Sequence, residues 1–497
     1  MAQKKFLALD MGAESGRGVM GLLNDGRLEL RETHRFPNVP VRVHDNLFWN
    51  ALGQFAELKT AVSAAVAQHG RDIESIGIDT WGVDMALIGA GNTILGNVHH
   101  YRDPRTSGVM DELFKTVPRR DVFLSTGIQF MEINTLYQIY CLVLNKSPLL
   151  KVAERLLMIG DLFNFMFTGQ KVSEFTLATT SQMFDARADE WAQGMLKKLG
   201  IPTDILPEVV SPGTDLGPVV KSVADEIGVP GLKVIAPAVH DTGSAVAGVP
   251  ASGDGWCYIS SGTWCLMGVE TKKPVVTDLA LANNFTNEGG VGGTYRFLRN
   301  IVGLWLVQEC RREWEKQGKA MDYARMTELA AKSAPRRSFI NPEHLPFYSP
   351  GNMPQKIQDF CRETGQPAPE TEGEIVRCAL ESLALKYRSV LESIEEMTGR
   401  NINRIHIVGG GSKNRLLNQL AADATGRTVH AGPVEATAIG NILVQAMAVS
   451  ELGSLDDARK VARDSFPLET YEPTDSAGWN EAYGKFKSLC SRQEARF

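Results

Sequence analysis

Nowhere in this chain does Gly-Lys precede Ser or Thr, no two cysteines are spaced C-x-x-C, neither charge sign dominates, and no apolar run is long. The first absence removes the Walker A loop as the way of holding a nucleotide. Seven cysteines (141, 257, 265, 310, 361, 378 and 490) are scattered without a zinc-site pattern, which leaves them to read as buried or idle thiols. One pair, Cys361 and Cys378, flanks the segment RETGQPAPETEGEIVR and could meet across it; in a reducing compartment two thiols are expected rather than a disulfide. With 52 Lys and Arg against 58 Asp and Glu, the net charge of -6 supplies no basic field for a phosphate backbone, so nucleic acid is excluded as a main ligand. No stretch approaches the roughly 20 apolar residues that cross a bilayer. Lys4 and Lys5 precede only Phe6 to Leu9 before Asp10 intervenes, too short for a signal-peptide core. A cytosolic protein with a small-molecule substrate and no membrane partner is expected.

What is present is an ordinary globular composition, 43% hydrophobic and 22% charged over 497 residues, long enough for two domains with substantial cores. Short β-branched apolar runs alternate with helical patterns, the mark of α/β architecture. Strands are expected at 4–10, 75–80, 232–239, 255–261 and 404–410. Helical spacing links Leu52, Phe55, Leu58, Val62, Ala65 and Val66, and again Leu383, Tyr387, Val390, Leu391, Ile394 and Met397. There is also an internal echo: FLALD-MGAESG-RGVMGLL and WCYIS-SGT-WCLMGVE both read strand, glycine turn, strand. One motif in two halves implies duplicated lobes, with GVPASGDG at 248–255 as the natural hinge.

Polar groups gather where the apolar strands end. The first turn holds Asp10, Gly12, Ser15, Gly16 and Arg17; its glycines let backbone N–H groups approach an anion, and a carboxylate at the strand end can hold Mg²⁺ through water. A plain hairpin would use the same residues. The matching turn in the second half, Ser260 to Thr263, offers hydroxyls. The segment from Ile405 to Gly426 is a buried strand, a triple glycine and an amphipathic helix; Asn414 stands where a dinucleotide fingerprint needs glycine. Positive φ could explain one of those glycines but hardly three, whereas bare backbone suits a flat base. The turn AVHDTG follows another apolar strand and puts Asp241 where it could accept a hydroxyl proton, or where it could cap the next helix. His240 beside it also reads as a core histidine. In GIDTWGVD, Trp81 with nearby carboxylates suits a sugar, stacking on its C–H face while hydroxyls take hydrogen bonds; a half-buried Trp beside solvated acids fits the same residues equally well. His99 and His100 have no third ligand at helical spacing and read as a surface pair rather than a metal site.

These residues resemble the FGGY carbohydrate kinases. The likeness runs from ALDMGAESGR through GIDTWGVD, YRDPRT, GIQFMEINTLYQ, VHDTGSAV, SSGTWCLMG, NEGG, RFLRNIVGLWLVQ and HIVGGGSKN to AGPVEATAIGN, essentially the whole chain. It implies two ribonuclease-H-like, actin-like ATPase domains with an active-site cleft between them: 1–247 carrying the sugar site and first phosphate loop, 255–450 carrying the nucleotide site, and a C-terminal extension at 451–497. By the same resemblance Ala13, Glu14, Ser15, Gly16, Arg17, Thr263, Gln308 and Gly410 contact ATP; Gly82, His240, Asp241, Thr242 and Asn300 contact the sugar; Asp241 is the general base; and Asp10 holds Mg²⁺ through water. GIDTWGVD and RFLRNIVGLW narrow the acceptor to L-rhamnulose, phosphorylated at O1, with L-fuculose or L-xylulose as alternatives and a non-catalytic ATPase switch as a distant one. Two departures stand out. Glu14 occupies a place usually filled by a small residue, and Ala421 and Thr425 stand where relatives can carry a second cysteine pair.

Overall fold

The computed structural model describes residues 3–494. They form two compact units, each discontinuous in sequence: the first comprises the chain up to Ser252, Glu270–Phe297 and Ala436–Phe466, the second Gly253–Val269, Leu298–Glu435 and the chain from Pro467 on. The junction near 252 lies at the Gly-rich stretch 248–255, while residues 270–297 and 436–466 pack with the first unit.

In the first unit a six-stranded sheet has the order β5-β6-β4-β1-β2-β3, with β1 Lys4–Met11, β2 Ser15–Asn24, β3 Arg27–Pro37, β4 Ser75–Thr80, β5 Thr214–Pro218 and β6 Lys233–Ala236. β1 and β4 pair in parallel, and every residue of β4 is buried, as a central strand covered on both faces must be. Helix α1 (Ala51–His69) packs on β2 and β3. Its buried residues include Gln54, Leu58, Ala61, Val62 and Ala65, whereas Leu52 is 70% exposed; the helical pattern is right but its apolar stripe begins later. Helix α2 (Asp241–Ala247) lies against α3 (Ala436–Ala448). Their backbones touch: a Cβ on Gly440 would sit 1.7 Å from the Ser244 carbonyl oxygen, so only glycine fits this crossing. Ile439, Ile442 and Leu443 of α3 share a core with Phe6, Val19, Leu23 and Leu28 of the sheet and with Ala458 and Val461. That burial explains why 436–466 belong to this unit.

A second, seven-stranded sheet runs from the short strand Thr286–Gly289 through β9-β8-β7-β10-β11-β12, with β7 Trp256–Ser261, β8 Trp264–Thr271, β9 Tyr295–Val302, β10 Arg404–Val408, β11 Thr428–Ala431 and β12 Glu469–Tyr471. β7 pairs antiparallel with β8 and parallel with β10, just as β1 does with β2 and β4. The echo in the sequence is a repeat of topology. The long helix Glu372–Thr398 opens on a capping box made by Thr371 and Glu374 and buries Leu383, Tyr387, Val390, Leu391 and Ile394, as the spacing predicts. Cys361 and Cys378 come from neighbouring helices, Met353–Glu363 and Glu372–Thr398; both are buried free thiols. Among the described residues no helix is long and apolar enough to cross a membrane.

Candidate active site

Strand register builds the first half of the site. Asp10, near the end of β1, is opposite Arg17 on β2 and Asp79 on β4, so three strands present a row of charged groups at one end of the sheet. Arg17 Nε and Nη2 both donate to Asp10 Oδ2, at 3.0 and 2.7 Å. Asp79 is fully buried; Asn441 Nδ2, from α3, donates to its Oδ2 at 2.5 Å, and its Oδ1 meets no donor among the described residues. Burial, and then the neighbouring Asp10 charge, push the Asp79 carboxyl up. Behind it Asn441 is held by Gln445, and Gln445 by Ser75.

The turn after β6 completes the row. Thr80 N–H donates to Val239 O, which ties this turn to the end of β4. Glu174 Oε2 accepts from Val239 N at 3.0 Å, and Thr176 Oγ1 accepts from His240 N at 2.9 Å. His240 is the N-cap residue of α2 but lends it no side-chain bond. Asp241 Oδ1 accepts from Thr242 N at 2.5 Å and Thr242 Oγ1 at 3.1 Å; its Oδ2 meets no donor among the described residues, and 31% of the side chain is exposed. Burial raises the Asp241 carboxyl, His240 opposing and Asp10 reinforcing the shift.

The first glycine turn is braced from β3 and α1. Asn38 donates to Glu14 O through its backbone and to Gly12 O through its side chain, and Gln54 holds Asn38. Glu14 is exposed, and Ala13 and Ser15 are half-buried at the turn. Gly16 has a packing reason of its own, since a Cβ there would fall 2.3 Å from the Phe36 ring.

GIDTWGVD is organised differently from its sequence expectation. Asp84 is fully buried and accepts from Trp49 Nε1 at 2.6 Å, Trp81 Nε1 at 2.9 Å and Gln138 Nε2 at 3.1 Å, so it binds the indoles themselves. Trp81 is buried against Trp49, which stacks on His100 at 4.1 Å. His100 is therefore a wall of this aromatic cluster and not half of a surface pair; burial pushes both His99 and His100 down to about 4. The backbone between is strained: Val83 has φ +67, an outlier for a β-branched residue that surrounding bonds must enforce. Thr135 Oγ1 and Gln138 Nε2 donate to Val83 O, and Gly82 rests on Thr180. Burial lifts the Asp84 carboxyl to about 6. Asp84→Asn turns an N–H₂ group toward donors and should cost about 1–3 kcal/mol in urea unfolding under acid conditions. Because the raised value favours the protonated form in the fold, that contribution is full below the ordinary aspartate range and is lost as pH rises through about 6. A gap between wild type and variant that widened across that range would contradict the assignment.

In the second unit Ser261 lies against the triple glycine, and the turn that follows it is bonded to the start of the helix that carries Gln308. Gly303 and Trp305 N–H groups donate to Thr263 O, and Leu304 N–H to Gly262 O; the helix Trp305–Lys316 that follows carries Gln308, whose Oε1 is buried and meets no donor among the described residues. Gly409 has φ +83, and a Cβ on Gly411 would lie 2.0 Å from Ser261 Oγ, whereas one on Gly410 would meet nothing within 4 Å. Asn300 is on β9, half-buried.

Among the described residues no three His, Cys, Asp or Glu side chains converge to hold a metal. A cation that arrives with phosphates and keeps most of its waters, as Mg²⁺ does, needs no such cage; the charges of Asp10, Asp79 and Asp241 act on one another here, and Asp79 Oδ1 is buried without a donor among the described residues. Residues not singled out from sequence include Asp79, Glu174, Asn441, Glu288 and Arg296. Asp79 had a visible signal, an acid at the end of an apolar strand, and so had Asn441, a lone amide in an apolar helix.

Residues 6–248 match the N-terminal domain of the FGGY family of carbohydrate kinases, and residues 257–449 match its C-terminal domain. A rhamnulokinase from Bacteroides thetaiotaomicron is 43% identical over 486 residues, covering 98% of this chain and 99% of that protein. One from Bacillus subtilis is 37% identical over 470 residues, covering 95% and 96%. The solved structure of ligand-bound xylulose kinase from Lactobacillus acidophilus aligns over 99% of both chains with a TM-score of 0.84 at 14% identity, a likeness of fold.

Proposed function

The chain belongs to the FGGY family of carbohydrate kinases, and on that footing we propose that it transfers the γ-phosphoryl group of ATP to O1 of L-rhamnulose, giving L-rhamnulose 1-phosphate and ADP. The reading is supported by relatives that carry the rhamnulokinase name along nearly their whole length. It places the protein in L-rhamnose catabolism, in the cytoplasm.

The observation that carries the chemistry is the division of labour within Asp241: one oxygen is tied to the start of α2 and the other has no hydrogen-bond partner among the described residues, in a carboxylate whose charge acts on Asp79 and is acted on by Asp10. Phosphoryl transfer asks the protein for position, charge neutralisation and a proton acceptor. The O1 oxygen attacks the γ-phosphorus, the bond from that phosphorus to the β,γ-bridging oxygen breaks, ADP leaves, and the O1 proton passes to Asp241 Oδ2. Gly82, His240, Thr242 and Asn300 bind the sugar. Residues 13–17 with Thr263, Gln308 and Gly410 bind ATP, and Gln308 Oε1 has a buried acceptor to offer. Mg²⁺, when it accompanies ATP, would neutralise phosphate charge, and Asp10 would hold it through water.

A panel of ketoses in a coupled ADP assay tests this. The highest kcat/KM is expected with L-rhamnulose, above L-fuculose and L-xylulose, with little ADP released when sugar is omitted. A preference for glycerol or D-xylulose would overturn the acceptor and leave the family standing; sugar-independent turnover would favour the ATPase switch.

A further inference from the structure

Two fully enclosed ionic groups face His240 from behind. Arg296, at the start of β9, is 0% exposed, and Glu288, on the short strand Thr286–Gly289, is nearly so. Arg296 Nε donates to Gly289 O at 2.7 Å. Its Nη2 lies 3.0 Å from His240 Nδ1 and 3.2 Å from Glu288 Oε2. Glu288 Oε2 is itself 3.3 Å from His240 Nδ1. Of these close approaches around Nδ1 only the one from Nη2 has hydrogen-bond geometry, since Glu288 Oε2 meets no aligned donor.

A guanidinium can only donate. His240 Nδ1 must then be the acceptor, and the ring proton must be on Nε2, which lies 3.4 Å from Asp241 Oδ1. The opposite tautomer would set an Nδ1–H against an Arg N–H at 3.0 Å, two donors in a buried space where an unmet donor is costly. Glu288 lies against both the arginine and the imidazole, and it supplies the counter-charge of the arginine. A buried guanidinium with no counter-charge would be strongly destabilising, and the arginine in turn holds the Glu288 carboxyl below its usual range against the opposing effect of burial.

We propose that Arg296 and Glu288 are positioning residues that lock His240 in its neutral Nε2–H tautomer, so that His240 meets the acceptor sugar only as a hydrogen-bond donor. Asp241 then stands as the sole proton acceptor of the turn, and a hydroxyl that accepts from Nε2–H is turned so that its own proton faces the carboxylate. This inference deepens the kinase reading and rests on it.

The test is a long-range ¹H–¹⁵N correlation spectrum of the full chain labelled with ¹⁵N-histidine, with the His240 signals identified by their loss in His240→Gln. Wild type should give a pyridine-type Nδ1 and a pyrrole-type Nε2; a protonated Nδ1 would overturn the proposal. In Arg296→Met the nearest partner left to Nδ1 is Glu288, so the proton should move to Nδ1, with KM for L-rhamnulose up about tenfold, the worth of roughly one hydrogen bond, and KM for ATP unchanged. Arg296→Lys, which keeps a donor, should recover part of the loss. A folded Arg296→Met with wild-type tautomer and sugar KM would overturn the proposal; should that variant not fold, the wild-type spectrum alone decides. If instead wild type released no ADP on adding L-rhamnulose, the kinase reading would fail while the tautomer stood.

Discussion

Asp241→Asn is expected to slow phosphoryl transfer on the order of 10²–10⁴-fold while leaving the fold and sugar binding nearly intact. The structure explains why both halves of that expectation hold together. Asp241 Oδ1 accepts from Thr242 N at the first turn of α2, and an amide oxygen can do the same, so the helix keeps its start. What Asn lacks is a basic second oxygen. His240, not Asp241, occupies the cap position; the local bond to Thr242 N and the proton-accepting role fall on different atoms of the Asp241 carboxylate, and a substitution that keeps the first removes the second. The raised carboxyl of Asp241 adds a pH signature: a base works only when ionised, so wild-type kcat/KM should fall with acid through a value above the ordinary aspartate range of about 4. A variant with wild-type kcat would remove Asp241 from the chemistry. A slow variant that still binds L-rhamnulose by calorimetry would leave capping alone unable to account for the loss.

Gly410→Val is expected to raise KM for ATP on the order of 10²-fold, the scale of a few kcal/mol of forced overlap, with the sugar KM little changed. The three consecutive glycines have three different physical situations. Gly409 needs a positive φ, and Gly411 has Ser261 Oγ where a Cβ would go; Gly410 has neither constraint. A side chain there is tolerated by the protein and is opposed only by whatever the loop binds. The contrasting variant is Gly411→Val, which must push Ser261 aside and should lose stability before it loses affinity. An unchanged ATP KM in folded Gly410→Val would remove the adenosine from this loop.

Legibility followed sequence distance. Asp10 and Asp241 were readable because a lone acid after an apolar strand is a local pattern, and the paired glycine turns were readable because the motif occurs twice. Trp81 was readable as important, but not that the carboxylate three residues on accepts its indole N–H. His100 sits in a polar run, and nothing local says that Trp49 covers it. Arg296 reaches His240 across 56 positions, and Asn441 reaches Asp79 across 362. Such pairs leave no periodic trace.

By itself the sequence determined the α/β class, the duplicated strand-turn-strand motif, the strand ends where polar groups collect, and the residue types available for phosphate, sugar and proton. These follow from short-range rules: burial makes central strands continuously apolar, and tight approach demands glycine. Only the tertiary structure decided that α3 closes the first unit beneath β1 and β4, that Asp84 binds two indoles, and that buried Arg296 lies against His240 Nδ1. The reason is that orienting a buried polar group takes a partner at hydrogen-bond distance, and in these three cases the partner is brought there by packing between segments far apart in the chain, or by a turn whose strain is held from elsewhere in the fold.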